Sequence, residues 1–415
     1  SAFLKPKAVV ASQSYYKTGT PRFFEYKYSN EPIVLEPSGD IDGYINIIFP
    51  LENSLNQVVE IAKANPNANL YAYFVNTESI IKHLHEIKKI QYVIDNVAFE
   101  DRVAKLELSN QLFFISNKLN EEINSLISSK ENVIWIYKGK TVRIKSISDF
   151  NKYLSYICND VYSKSPIIKN ELFNKQKISS AISLARVNLL DAMLNHSDKE
   201  DFNFPANTFP PEKTIYQTIF KKSGIHRKDS DGVYILTEPN APELKSLWNV
   251  SVDFINNSTD KPRKISELIK ILKSRPYKLK QGVIDFWIPI FLFIKQQDFA
   301  LYNGNSFVLN ITKEVFELIQ KHPNDFSIKS FNVSGVRLEF FKKYRKFLNK
   351  DENNPITISS FLETIRPFFK FYNGLNTYAK NTRKFDSLAT ANFRDVLSKA
   401  TDPSKTFFED LPEAL

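Results

Sequence analysis

One cysteine, ten glycines, one methionine and no long apolar run stand among the 415 residues of this chain. A single thiol, Cys158, cannot form an intramolecular disulfide or a cysteine-based zinc or iron–sulfur centre, and this points to a reducing, cytoplasmic setting. The glycines fall at 19, 39, 43, 139, 224, 232, 282, 304, 335 and 374, and neither GxxxxGK[ST] nor GxGxxG can be written from them. Phosphate-cradling loops need glycine where backbone N–H groups converge on the anion, so P-loop and Rossmann nucleotide sites are excluded. HExxH, GxSxG and Cys/His clusters are missing too, which leaves no recognisable catalytic motif and no implied cofactor. The longest apolar stretch, Val283 to Ile294, contains Asp285 and Pro289 and falls well short of the ~20 residues a membrane span needs. It reads as a buried segment.

What is present is a large apolar fraction, 42%, with 25% charged residues, enough to bury a substantial core. At roughly 100–200 residues per domain, the length predicts two to four domains. The only methionine is Met193, and a chain lacking an initiator Met and ending at Leu-Pro-Glu-Ala-Leu415 reads as a piece of a longer protein.

The net charge of +10 is unevenly placed. Residues 1–150 hold 17 basic and 17 acidic side chains, so the excess lies wholly in the remainder. Lys261, Arg263, Lys264, Lys270, Lys273, Arg275, Lys278 and Lys280 face a single acid, Glu267, within 20 residues. A second cluster holds Arg337, Lys342, Lys343, Arg345, Lys346 and Lys350 against Glu339. Such local fields attract anionic partners.

The pattern predicts an α+β, helix-dominated, multidomain chain. Residues 1–147 read as an α/β domain: Tyr44–Phe49 and Leu70–Val75 are strand-like runs around a helical pattern from Leu55 to Ala64. Leu108, Leu112, Ile115, Leu119, Ile123 and Leu126 make a helical stripe, and Val133–Ile144 folds as a hairpin turning at Gly139. Residues 148–242 read as a helical connector, with Ser179-Ser180 capping one helix and Phe209-Pro-Pro-Glu212 starting another. Residues 243–335 give helix, helix, turn, helix, strand, an Asn303-Gly304-Asn305 turn, strand and helix, the order of a winged-helix module. Residues 336–415 form a helical C-terminal segment.

Nucleic acid is the leading partner. Lysines and arginines neutralise phosphates, and Tyr277, Phe340, Phe341, Tyr344 and Phe347 are interleaved with the two basic clusters as stacking groups. The third helix of the module is almost wholly apolar, whereas a helix entering a major groove must show polar side chains to base edges. Contact is therefore expected with phosphates, from the basic stretch and from the wing, without sequence reading. A protein-docking module is the alternative. A metal-dependent enzyme using Glu36, Asp40 and Asp42 is a third reading, against which Asp and Gly serve as ordinary turn residues. Glu25-Tyr26-Lys27 precedes that aspartate pair, the reverse of the order in Asp…Glu-x-Lys nucleases. His83 and His85, two residues apart on a helix, face different ways, and Cys158 reads as buried and inert.

Cys158-Asn-Asp-Val-Tyr-Ser-Lys-Ser-Pro-Ile-Ile-Lys-Asn-Glu-Leu172, the Ser179-Ser180 helix, Phe209-Pro-Pro-Glu-Lys-Thr-Ile-Tyr216, and Lys280-Gln-Gly-Val-Ile284 with Ala300-Leu-Tyr302 and Phe307-Val308 carry a resemblance. Over about half its length the chain resembles part of large bacterial multidomain ATPases of phage defence, of the BREX-associated BrxC/PglY type. The resemblance implies a segment outside the P-loop core that recruits DNA or protein partners of a defence complex. It carries over no catalytic residue.

Overall fold

The computed structural model describes residues 8–50, 55–96, 101–127, 132–330, 344, 346 and 358–414. They form two compact units, Ser1–Ser163 and Lys164–Leu415.

The first unit is built on a six-stranded mixed sheet of β1 (Ala8–Val10), β2 (Phe23–Ser29), β3 (Ile41–Ile48), β4 (Asn69–Phe74), β5 (Val133–Tyr137) and β6 (Lys140–Val142), paired in that order. β2, β3 and β4 run parallel and the outer pairs antiparallel. The expected βαβ unit is β3, α2 (Leu55–Ala64) and β4. Side chains along β4 alternate between faces, as a pleated strand requires. Leu70, Ala72 and Phe74 enter the main core, while Tyr71 and Tyr73 meet Val58 and Ala62 of α2 on the opposite face. The main core is closed by α3 (Glu78–Asn96), α4 (Arg102–Ile127) and α5 (Ile147–Val161), through Ile80, Ile87, Leu119, Ile123, Leu154 and Ile157. Helix α5, assigned from sequence to the connector, belongs here because Phe150, Leu154, Ile157, Cys158 and Val161 form its buried face. Cys158 is buried, as expected. α1 (Ser12–Thr18) precedes β2.

The second unit is mainly helical. α6 (Ser180–His196) begins at Ser179, whose hydroxyl accepts the Ile182 N–H, and α7 (Pro211–Tyr216) begins with proline in its first turn. A short hairpin, β7 (His226–Lys228) and β8 (Tyr234–Leu236), leads to α8 (Pro242–Asn256). Then follow β9 (Arg263–Lys264), α9 (Ile265–Lys273), α10 (Gln281–Ile294), β10 (Ala300–Asn303), β11 (Ser306–Phe307), α11 (Lys313–Lys321) and β12 (Phe326–Lys329). The strands make an antiparallel sheet in the order β11, β10, β12, β9. β9 and β12 are too short to stand out from the sequence. Leu301, Phe326 and Ile328 join the core of α8, α9 and α10, whereas Ala300 and Tyr302 pack with Leu362, Ile365, Phe368 and Phe369 of α12 (Ile358–Gly374) and with Phe407. The C-terminal helices thus cover one face of this sheet and share a core with it.

Candidate nucleic-acid interface

Helix α9 is amphipathic: Ile265, Leu268 and Leu272 are buried, which turns Lys270 and Lys273 to solvent. Lys261 and Lys264 before the helix and Arg275 after it are exposed as well. Lys261, Lys264, Lys270 and Lys273 make no ion pair with any described residue. The one local acid is committed, since Glu267 accepts the Arg263 Nε–H at 3.1 Å and the Lys264 backbone N–H at 3.1 Å. Arg263 also lies over the Phe254 ring, its Cζ 4.2 Å from the centroid, so it is half-buried and partly spent on packing. Lys278 is half-buried. Lys280 is a correction to the expected patch, because it is 3% exposed and its charge is not on the surface. Tyr277, expected as a stacking group, is buried for the same reason: residues 276–280 dive toward α10.

α10, the third helix of the module, offers almost no side chain to solvent. Val283, Ile284, Phe286, Trp287, Ile288, Ile290, Phe291 and Leu292 are all buried in the core, with the Trp287 Nε1–H donating to Ser251 Oγ at 3.0 Å. Asp285, its one acid, is held above the usual carboxylate range by desolvation, against a Gln281 amide at 2.6 Å. The expected wing contact is also restricted. Phe307 of β11 packs on Phe369 with ring centroids 5.4 Å apart, so one face of the hairpin is covered.

Of the second basic cluster, Arg337, Lys342, Lys343, Arg345 and Lys350 lie outside the described residues, as do Phe340, Phe341 and Phe347. Lys346 is exposed on a helix. Tyr344 is not available for stacking on a ligand, since its hydroxyl donates to the Phe407 carbonyl at 2.9 Å and its ring meets Phe368 and Phe407.

The acidic candidates separate. Both oxygens of Asp42 are engaged, by Arg22 Nη1 at 2.8 Å and by the Phe23 N–H at 2.9 Å, in a fully buried ion pair; Asp40 and Glu36 are exposed. Among the described residues no three His, Cys, Asp or Glu side chains gather as metal ligands. His83 Nδ1 lies 2.8 Å from the Ser79 carbonyl and His85 is exposed.

One feature of the first unit escaped sequence reading. The hairpin β5–β6 turns through Lys138 and Gly139, both at positive φ, and the segment after it sets Arg143 beside the outer face of α5. That face carries Asp149, Lys152, Tyr153 and Tyr156, which with Arg143 line an open groove of about 510 Å³. A charge count over 150 residues averaged this locality to zero.

Compared with protein families, curated proteins and solved structures, the chain matches none. Among the described residues no helix is long and apolar enough to cross a membrane.

Proposed function

We propose that this chain is a non-catalytic, DNA-contacting and assembly segment, binding the phosphate backbone through the outer face of α9 and its flanks. The observation that carries this reading is the concentration of Lys261, Lys264, Lys270, Lys273 and Arg275 on one solvent-facing stretch whose only acid is already bonded. The element order α8, β9, α9, α10, β10, β11, with β10 pairing antiparallel to β11 and to β12, and β12 to β9, supports the winged-helix reading, in which α8, α9 and α10 are the three helices and β10–β11 the wing. In this arrangement the helix that would read bases serves as core, and α9 supplies charge alone. Binding through it is sequence-independent and salt-sensitive. The resemblance to phage-defence ATPases supports a position outside a motor, where DNA or a partner subunit is recruited.

The test is fluorescence anisotropy of a labelled duplex from about 50 to 200 mM salt, with the chain and with a Lys270→Glu/Lys273→Glu variant. Several phosphate contacts should cost at least about tenfold in affinity across that range. Micromolar binding with a steep salt slope, weakened about tenfold by charge reversal, supports the reading. Flat anisotropy at 50 mM salt removes it and leaves a protein-docking module, the reading that the burial of α10 also permits.

A further inference from the structure

The groove on the first unit is an aromatic and cationic surface that shares no residue with α9 and stands independently of the reading given to that helix. Along α5 the buried stripe Phe150, Leu154, Ile157, Val161 forces Asp149, Lys152, Tyr153 and Tyr156 onto the opposite stripe, at the i, i+3, i+4, i+7 spacing of one helix face. Tyr156 is 54% exposed. Its ring centroid lies 5.4 Å from that of Tyr153, with the planes tilted by 42°. Tyr137 at the end of β5 meets both edge-on, at 5.9 and 6.2 Å, and is itself fixed by donating its hydroxyl to Asp160 at 2.6 Å. Lys138 bonds the same carboxylate at 2.5 Å. Burial beside Tyr156 and Asp160 pushes the Tyr153 hydroxyl up to about 12, so this ring stays neutral at physiological pH. Beside the tyrosines, Arg143 and Lys152 line the groove and make no ion pair with any described residue. Asp149 is the one acid left.

We propose that this groove binds single-stranded nucleic acid, with a base stacked on Tyr156 and backbone phosphates on Arg143 and Lys152. The chemistry selects that ligand by elimination. A stacked aromatic ring needs a partner with an exposed flat face, which the paired and stacked bases of a duplex do not offer. Sugars also lie on tyrosine faces, but they are held by several acceptors for their hydroxyl groups, and this rim supplies one carboxylate, Asp149, against two cations. A ligand that brings flat faces and regularly spaced negative charges satisfies both halves of the site, as in other sequence-tolerant single-strand binders. The groove is open to solvent, and β6 is an edge strand of the sheet.

The experiment compares a fluorescein-labelled dT 12-mer with an abasic 12-mer of equal charge, titrated with the full chain at 50 mM salt. The dT strand is expected to bind at least about tenfold more tightly, the range of one stacked base. Tyr156→Ala should bring dT binding down to the abasic level, and Tyr156→Phe should restore it, since the ring and not the hydroxyl stacks. Arg143→Glu/Lys152→Glu should weaken both strands and flatten the salt dependence. In the Lys270→Glu/Lys273→Glu background the preference for dT over the abasic strand should persist, which separates this groove from α9. Equal affinity for the two strands, an unchanged affinity in Tyr156→Ala, or no binding of dT at 50 mM salt would each overturn the proposal. Displacement of the 12-mer by an equal concentration of dTMP would overturn the polymer assignment in favour of a mononucleotide.

Discussion

The two units hold their exposed cations in different company. On α9 the lysines stand opposite an apolar helix face, and the aromatics near them in sequence or contact, Phe254 and Tyr277, are buried. On the outer face of α5, Lys152 and the neighbouring Arg143 share a groove with tyrosine rings, of which Tyr156 reaches solvent. Charge without an accessible ring can register only the phosphate backbone, whereas charge beside a ring can also register whether bases are unpaired. The difference arises in the cores. α9 keeps three apolar residues inward and spends its outward positions on lysine, while the outward stripe of α5 keeps its aromatics.

The largest effect is expected from breaking the support of α5. Tyr162, at its C-terminal end, donates its hydroxyl to the Asp42 carbonyl and lies under the Arg22 guanidinium, whose Cζ is 4.5 Å from the ring centroid. Asp42→Ala leaves Arg22 buried without its carboxylate, a loss of about 3–5 kcal/mol. Hydrogen exchange of β3 and β4 amides should accelerate accordingly, and dT binding should fall with it. The exposed Asp40→Ala should stay within about 0.5 kcal/mol. Similar exchange in the two variants would mean that the pair does not anchor the platform.

The corresponding break in the second unit is Gly282→Ala. A Cβ there would sit 2.1 Å from the Phe173 carbonyl oxygen and 2.9 Å from that of Lys175, both backbone atoms that cannot turn aside. The Gly282 N–H also donates to the Lys175 carbonyl at 3.0 Å. Overpacking of this kind costs about 1–3 kcal/mol or more. The urea midpoint of the variant should drop, and an unchanged midpoint would show that the Phe173–Lys175 loop yields.

Much of this frame was legible in the residues, and where it was not the reason is physical. Period-3.6 stripes such as Leu112, Ile115, Leu119 and Ile123 and the Lys138-Gly139 turn declare themselves locally. β9 and β12 do not, because two and four residues carry no period and their pairing spans more than sixty positions. The α9 patch is visible as a charge run, but Lys280 does not belong to it, because a run of letters does not say which side chain turns inward. The α5 groove was invisible for the opposite reason. Its cations come from a hairpin and a helix on either side of a loop, and only folding brings Arg143 to Lys152 and the tyrosines.

The comparison sharpens most directly in a crossed design. Lys270→Glu/Lys273→Glu should lower duplex affinity about tenfold at 50 mM salt and reduce the slope of log affinity against log salt by about 2, one unit for each phosphate no longer neutralised. Tyr156→Ala should leave duplex affinity where it was. If both variants weakened both substrates equally, the two surfaces would be parts of one undifferentiated basic coat.

The smallest effect concerns a buried imidazole in the second unit. His226 lies against Phe202, Tyr216 and Tyr234, with Nδ1 2.8 Å from the Tyr216 hydroxyl and Nε2 3.0 Å from the Ser197 carbonyl. The carbonyl can only accept, so Nε2 carries a hydrogen, while the Tyr216 hydroxyl lies within reach of both Nδ1 and, at 3.2 Å, Asp201 Oδ1. Desolvation, helped by Lys221, holds its pKa below the ordinary histidine value, and the Ser197 carbonyl and Asp201 oppose it only in part. The unfolded chain therefore takes up a proton at a pH where the folded chain still refuses one, and stability rises with pH wherever the unfolded state binds more protons. The contribution is complete above the ordinary histidine range near 6.5 and is lost as pH falls toward the depressed folded value. The urea midpoint should drop between pH 7.5 and 5.5 more steeply in the wild-type chain than in His226→Gln, where nothing at this position titrates. Parallel slopes would mean that the pocket opens to water before the ring is protonated, and that the second unit is looser around its strained 201–203 turn, where Asp201, Phe202 and Asn203 all hold positive φ, than its packing implies.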